Sequence, residues 1–201
     1  MNSGVIEMKK THSYTKATTG LASVAALMSG TVAAQAEGSY IGLSYGVFQG
    51  DAPIENQGDA EDYELGGGAV GFFVGRDLAT VGMATVGAEL AYTGAVNGDP
   101  NENAGYDNAY DINWMFDAKL RAGADVGPVM LYGFAGVTMG KANNYDEGGY
   151  DFTGVNYGIG AQMDITPNAF VGLEVISRSI DVYRDDKTDH TSVSLRAGFK
   201  F

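Results

Sequence analysis

The sequence predicts an all-β protein: an eight-stranded antiparallel up-and-down transmembrane β-barrel, preceded by a cleavable signal peptide. Three observations lead there. The N-terminus is basic and then apolar, the rest of the chain is a series of short runs alternating between apolar and polar at period two, and the last run, "SVSLRAGFKF", ends on a bare Phe201.

Lys9, Lys10 and Lys16 form a basic leader, Leu21 to Ala33 an apolar stretch, and Ala34-Gln35-Ala36 a small-x-small cleavage site. The apolar stretch is too short for a membrane-crossing helix, which needs about 20 residues. Residues 1–36 are therefore expected to be a signal peptide, with Met8 as an alternative start, and residues 37–201 a single barrel domain. That domain carries nine basic against 24 acidic side chains, a formal charge of −15, so nucleic acid is not an expected partner. The chain has no cysteine, which excludes disulfides, thiolate chemistry, a lipid-bearing N-terminal cysteine and a cysteine-based zinc site.

The expected strands follow in order. The first, about 39–49, puts Ile41, Leu43, Tyr45 and Val47 on one face; the second, about 67–76, Val70, Phe72 and Val74; the third, about 84–94, Val86, Ala88, Leu90 and Tyr92 against Glu89. In the fourth, "DINWMFDAKLRA" (111–122), Ile112, Trp114, Phe116, Ala118, Leu120 and Ala122 oppose Asp111, Asn113, Met115, Asp117, Lys119 and Arg121. The fifth, about 129–140, is apolar on both faces, and its parity stays open. The sixth (154–165) sets Val155, Tyr157, Ile159, Ala161, Met163 and Ile165 against a glycine-rich face. The seventh (169–179) sets Val171, Leu173 and Val175 against Gly172, Glu174, Ile176 and Arg178; the eighth is the C-terminal run. Short links join strands 2–3, 4–5 and 6–7, whereas roughly 50–66, 95–109, 141–153 and 180–190 are long and acidic, so the two kinds of loop lie at opposite ends.

The polar face decides what the apolar face touches. A water-facing sheet carries Lys, Glu, Thr and Gln, but here that face is Gly154, Gly158, Gly160, Gly172 and Gly198 punctuated by isolated charges. Small residues suit the cramped inside of a closed eight-stranded tube. Glu89, Asp117 and Glu174 against Lys119, Arg121, Arg178 and Arg196 are the expected lumen charge network, a structural site in which opposite signs neutralise one another. Trp114, Tyr92, Tyr157, Phe199 and Phe201 fall at or near strand ends, where rings favour bilayer interfaces.

On "GSYIGLSYGVF", "VGAELAYTG" (86–94), "YGIGAQMDITPNAFVGLEV" (157–175) and the closing "LRAGFKF", the chain resembles the OmpA/OmpX-type eight-stranded outer-membrane β-barrel family, over about residues 37–201. The resemblance implies export to the outer membrane, contact with its lipid and lipopolysaccharide, and a monomer. It further implies that Phe201, helped by Phe199, is read by the outer-membrane assembly machinery. The peptidoglycan-binding domain of the family members called OmpA is not expected, because the chain stops at strand eight. The expected role is a structural or surface one, with a side-chain-filled lumen and acidic extracellular loops; the alternative is adhesion or ligand binding through those loops.

A pore and an enzyme are weaker readings. An eight-stranded interior is filled by side chains, which leaves no room for bulk diffusion. His190 and Ser192 resemble the His-x-Ser spacing of outer-membrane lipid A deacylases, but no Asp or Glu follows on the last strand and Ser192 has lumen parity. No catalytic residue and no cofactor is expected. Asp51, Glu55, Asp59, Glu61, Asp62 and Glu64 crowd the first long loop, and Asp99 to Gly105 come nearest to a calcium loop, but neither has the spacing, so no metal site is expected.

Overall fold

The computed structural model describes residues 38–51, 64–94, 111–144, 148–181 and 187–201; the expected signal peptide and most of the acidic loop residues lie outside them. Eight strands, β1 (Ser39–Asp51), β2 (Glu64–Val81), β3 (Ala84–Thr93), β4 (Asp111–Val126), β5 (Val129–Asn144), β6 (Gly148–Thr166), β7 (Ala169–Asp181) and β8 (Lys187–Lys200), follow one another around a closed barrel. Every neighbouring pair is antiparallel, including the seam, where β1 meets β8 from Tyr40↔Lys200 to Gly50↔His190. No helix occurs among the described residues.

The short links are two residues long. Gly82 and Gly127 take the left-handed conformation (φ 62° and 67°) that tight hairpin turns require and that side-chain-bearing residues disfavour. At the third, the Thr166 hydroxyl oxygen accepts bonds from the Asn168 and Ala169 amides at 3.3 and 2.9 Å, closing the turn that Pro167 shapes.

Alternation holds along most strands. Ile41, Leu43, Tyr45, Val47, Val70, Phe72, Ile159, Leu173, Leu195 and Phe199 are exposed on the outer wall, while Glu89, Asp117, Lys119, Glu174, Arg178 and Arg196 are buried inside. β5 is settled by burial: Leu131 and Ala135 point out, Tyr132, Phe134 and Thr138 point in.

Four expectations are corrected. Ile112 is buried inside, at 2 %, because the β4–β5 register shifts between Ile112 and Trp114 and the bulge turns it through the wall. The segments 141–153 and 180–190 are largely strand: β5 runs to Asn144, β6 starts at Gly148, and β7 runs to Asp181 with β8 from Lys187. Tyr157 accordingly sits well inside β6 rather than at its end. The lumen also holds large rings as well as small residues and ions, namely Tyr40, Phe48, Phe73, Tyr132, Phe134, Phe152 and Phe170.

Glycine makes room for those rings. Tyr40 stands directly across from Gly75 and Phe73 from Gly42 on the β1–β2 pair. Tyr132 faces Gly160, Phe134 faces Gly158 and Phe152 faces Gly140 on β5–β6, and Phe170 faces Gly198 on β7–β8. A methyl group on any of these glycines would overlap the facing ring. Bulk on one strand is thus seated over a gap on the next, which is how a narrow tube reaches interior packing density.

Gly160→Leu, which drives Tyr132 off its seat, is expected to destabilise the barrel by about 1–3 kcal/mol. Gly133→Ala, whose new methyl would meet nothing nearer than 3.7 Å, serves as the control and should leave stability within about 0.5 kcal/mol. Urea unfolding in lipid vesicles measures both.

Candidate functional site: an ion lattice in the lumen

Adjacent strands set the first contacts. Glu89 on β3 is paired in register with Lys119 on β4, and Arg121 lies two residues further on the same inward face. Glu174 on β7 stands beside Ser194, one inward step from Arg196 on β8. Both side-chain pairs then reach across the tube to the opposite wall.

Lys119 Nζ lies 3.4 Å from Glu89 Oε1 and 2.5 Å from Glu174 Oε1. Arg196 Nη2 lies 2.6 Å from Glu89 Oε2, and its Nη1 donates to Glu174 Oε2. Glu89, Lys119, Glu174 and Arg196 therefore close a ring of alternating charge, joined by Arg121 at 3.0 Å from Glu89. Two phenols complete it. Tyr40 donates to Glu89 at 3.1 Å and accepts from Arg121; Tyr132 donates to Glu174 at 3.1 Å and accepts from Arg196 at 3.1 Å. The rings also cover the cations: the Arg121 guanidinium is 3.9 Å from the centre of Tyr132 and that of Arg196 is 3.8 Å from Phe73.

Towards the long-loop end lies a second cluster. Arg178 on β7 holds Asp117 on β4 through two nitrogens, at 2.7 and 3.2 Å. Thr138 donates to the same carboxylate at 2.6 Å and Asn156 at 3.2 Å, while Arg178 Nη1 donates to the Ser192 hydroxyl at 3.1 Å. Within these two clusters four cations face three carboxylates. A fourth, Asp77 on β2, is half-buried at the short-turn end and interacts electrostatically with Arg121 and Lys200.

The residues expected to meet thus fall into two groups, Glu89, Lys119, Arg121, Glu174 and Arg196 in one and Asp117 with Arg178 in the other. Sequence reasoning put Ser192 and Asn156 on the inward face but named neither of them, nor Tyr40, Asp77, Tyr132 or Thr138, as part of the network. Tyr40 and Asp77 show inward parity in the sequence, but β5 alternates too weakly to give Tyr132 and Thr138 a side. Phe199 and Phe201 are half-exposed on the outer wall, and the Phe201 amide donates to Ser39 O at 2.9 Å across the seam.

The lattice is built to brace opposite walls. Ser192 is buried at 1 % and bonded to Arg178, and His190 is buried at 4 %, so the pair lies inside the tube, away from the lipid face where acyl-chain chemistry would take place. Among the described residues, no group of three or more His, Cys, Asp or Glu side chains is placed to hold a metal ion.

Removing one partner from such a lattice leaves an uncompensated buried charge. Glu174→Ala, which leaves Lys119, Arg121 and Arg196 to share the single carboxylate of Glu89, is expected to cost about 3–5 kcal/mol. Asp164→Asn, which breaks the exposed 2.7 Å pair with Lys200, should cost less than about 1 kcal/mol. Equilibrium unfolding of the two variants in the same detergent checks the contrast.

Comparison with known proteins supports the same architecture. The family model described as "Outer membrane protein beta-barrel domain" matches residues 19–201. No curated protein matches the chain. Among solved structures, it is similar to Ail, the attachment invasion locus protein of Yersinia pestis, at 18% identity and TM-score 0.53, covering 82% of this chain and 99% of that one. Neisserial surface protein A is similar at 13% identity and TM-score 0.58, with 82% and 98% covered. OprG from Pseudomonas aeruginosa is similar at 14% identity and TM-score 0.55, with 82% and 96% covered. At such identities these likenesses speak for the fold alone. A closed barrel with an apolar outer wall and a charged interior, matched by the family model along nearly its whole length, makes the chain a member of the outer membrane protein beta-barrel domain family and places it in the outer membrane.

Proposed function

We propose that the protein is a small structural and surface barrel: a rigid, side-chain-filled tube that holds acidic loops on the outside of the cell. The observation that carries this reading is the braced interior. Lys119, Arg121, Arg178 and Arg196 are each 6 % exposed or less, and every one is bonded to a carboxylate within the tube. Such an interior suits a scaffold better than a solute path. The charge is unevenly placed: Glu55, Asp59, Glu61 and Asp62 crowd the first long loop, and Asp99, Glu102 and Asp107 the second, without a single Lys or Arg in either. A carrier of mutually repelling loops needs a stiff base.

A second reading, attachment through those loops, draws on the same charge and on the attachment protein among the structural neighbours, whose likeness extends to the fold only. The partners we propose are outer-membrane lipid and lipopolysaccharide around a monomeric barrel, and the assembly machinery, which reads Phe201 with Phe199.

In planar bilayers the purified barrel is expected to show no large steady openings, and such openings would overturn the scaffold reading. Cells expressing the barrel should gain no adherence to host-cell monolayers or matrix proteins if that reading holds. A gain lost on replacing the first two loops would favour attachment. Deleting Phe201 should lower the amount of heat-modifiable barrel in the outer-membrane fraction several-fold; equal amounts with and without it would sink the proposed signal.

A further inference from the structure

The barrel changes character along its length. From Val193 to Phe201 on β8, Val171 to Val175 on β7, Val155 to Ile165 on β6 and Ile41 to Val47 on β1, the outward side chains are mostly apolar and the inward ones polar, glycine or aromatic. Beyond those points the pattern inverts. Outward stand Gln49, Lys141, Asp151, Thr153, Ser177, Ser179, Asp181, Asp189 and Thr191, while the inside becomes a continuous apolar cluster of Phe48, Ala69, Ile112, Met115, Ala142, Phe152 and Ile180, none more than 6 % exposed. Strands of up to 19 residues exceed the 9–11 that a tilted strand needs to cross hydrocarbon, so the surplus projects at the long-loop end. That upper section is organised like a water-soluble barrel, greasy inside and polar outside. The bulge that turns Ile112 inward supplies β4's second member of the layer, beside Met115.

We infer that this apolar layer, and not the ion lattice, is what seals the tube against water and ions from outside. It receives side chains from six of the eight strands at one end of the lumen, directly above the Asp117–Arg178 pair. Thr93, paired with Met115, and His190, paired with Gly50, also stand buried on the inside at this end, so the constriction is largely rather than wholly apolar. A constriction of that kind wets poorly and blocks ions without a charged gate. The lattice below it is then insulated, which preserves the strength of its ion pairs. Loss of a lattice member loosens the barrel without opening it, whereas loss of a ring from the layer opens the lumen to water.

The absence of cysteine allows a direct test with a single introduced thiol. Thr138→Cys places one on β5 beneath the layer, at a site 0 % exposed, and Thr191→Cys places one on the outer wall as the accessible reference. A charged methanethiosulfonate is applied from outside to folded barrel in vesicles, with folding checked by heat-modifiable migration. The expected result is slow labelling of Thr138→Cys, at least about tenfold faster labelling when Phe152→Ala is added, and unchanged slow labelling when Glu174→Gln is added instead. If the Phe152 variant does not fold, Met115→Ala takes its place. Labelling of Thr138→Cys as fast as the reference overturns the seal. So does an unchanged rate on thinning the layer, or an equal acceleration from Glu174→Gln.

Discussion

Hydrocarbon cannot hydrogen-bond to a peptide, and that single constraint organises the whole molecule. A sheet in lipid must leave no edge, so β8 returns to β1 and the last residues, Phe199 to Phe201, are part of the wall rather than a loose tail. Closing only eight strands makes the tube narrow, and narrowness dictates the rest of the interior. Half of all strand residues must point into a space too small to hold half of all ordinary side chains. The solution is the pairing of large rings with facing glycines, repeated on the β1–β2, β5–β6 and β7–β8 pairs. Each pair fixes register as well as volume, because a one-residue slip would turn the strand's rings to the opposite face of the wall and away from their glycines.

The ion lattice follows from the same confinement. Bringing Glu89 or Arg196 into the tube alone would cost several kcal/mol of lost hydration, so the charges enter together, each bonded to a partner of opposite sign. Four strands carry the main ring, and its contacts run across the lumen, Lys119 to Glu174 and Arg196 to Glu89, tying opposite walls. Tyr40 and Tyr132 fill the remaining lone pairs and provide the faces on which Arg121 and Arg196 rest. Together these contacts join β1, β3, β4, β5, β7 and β8 through the centre of the tube.

The division of the chain between lipid-facing wall and interior was written in its alternation, because period two is a local property that hydrophobic and polar residues display directly. The strand count, the up-and-down order, the outward Ile, Val, Leu and Phe positions and the inward charges are all readable in that way. What escaped was whatever a neighbour decides. Ile112 looks outward by parity and is turned inward by a bulge that exists only in its pairing with β5. β5, apolar on both faces, takes its side from the glycines of β6 that accept Tyr132 and Phe134. The strands also outrun the sequence's loops, since residues such as Asp151 and Asp181 disfavour strand by themselves and are held there by the ladder below them.

Outside β5 and Ile112, the sequence by itself therefore determined which residues face hydrocarbon and which are charged within, for burial in lipid is enforced residue by residue. Only the tertiary structure decided who meets whom. The cross-lumen ion pairs, the tyrosines that complete them, the seating of rings on glycines and the apolar layer above them join residues tens of positions apart, through contacts that come into being when the sheet curls into a tube.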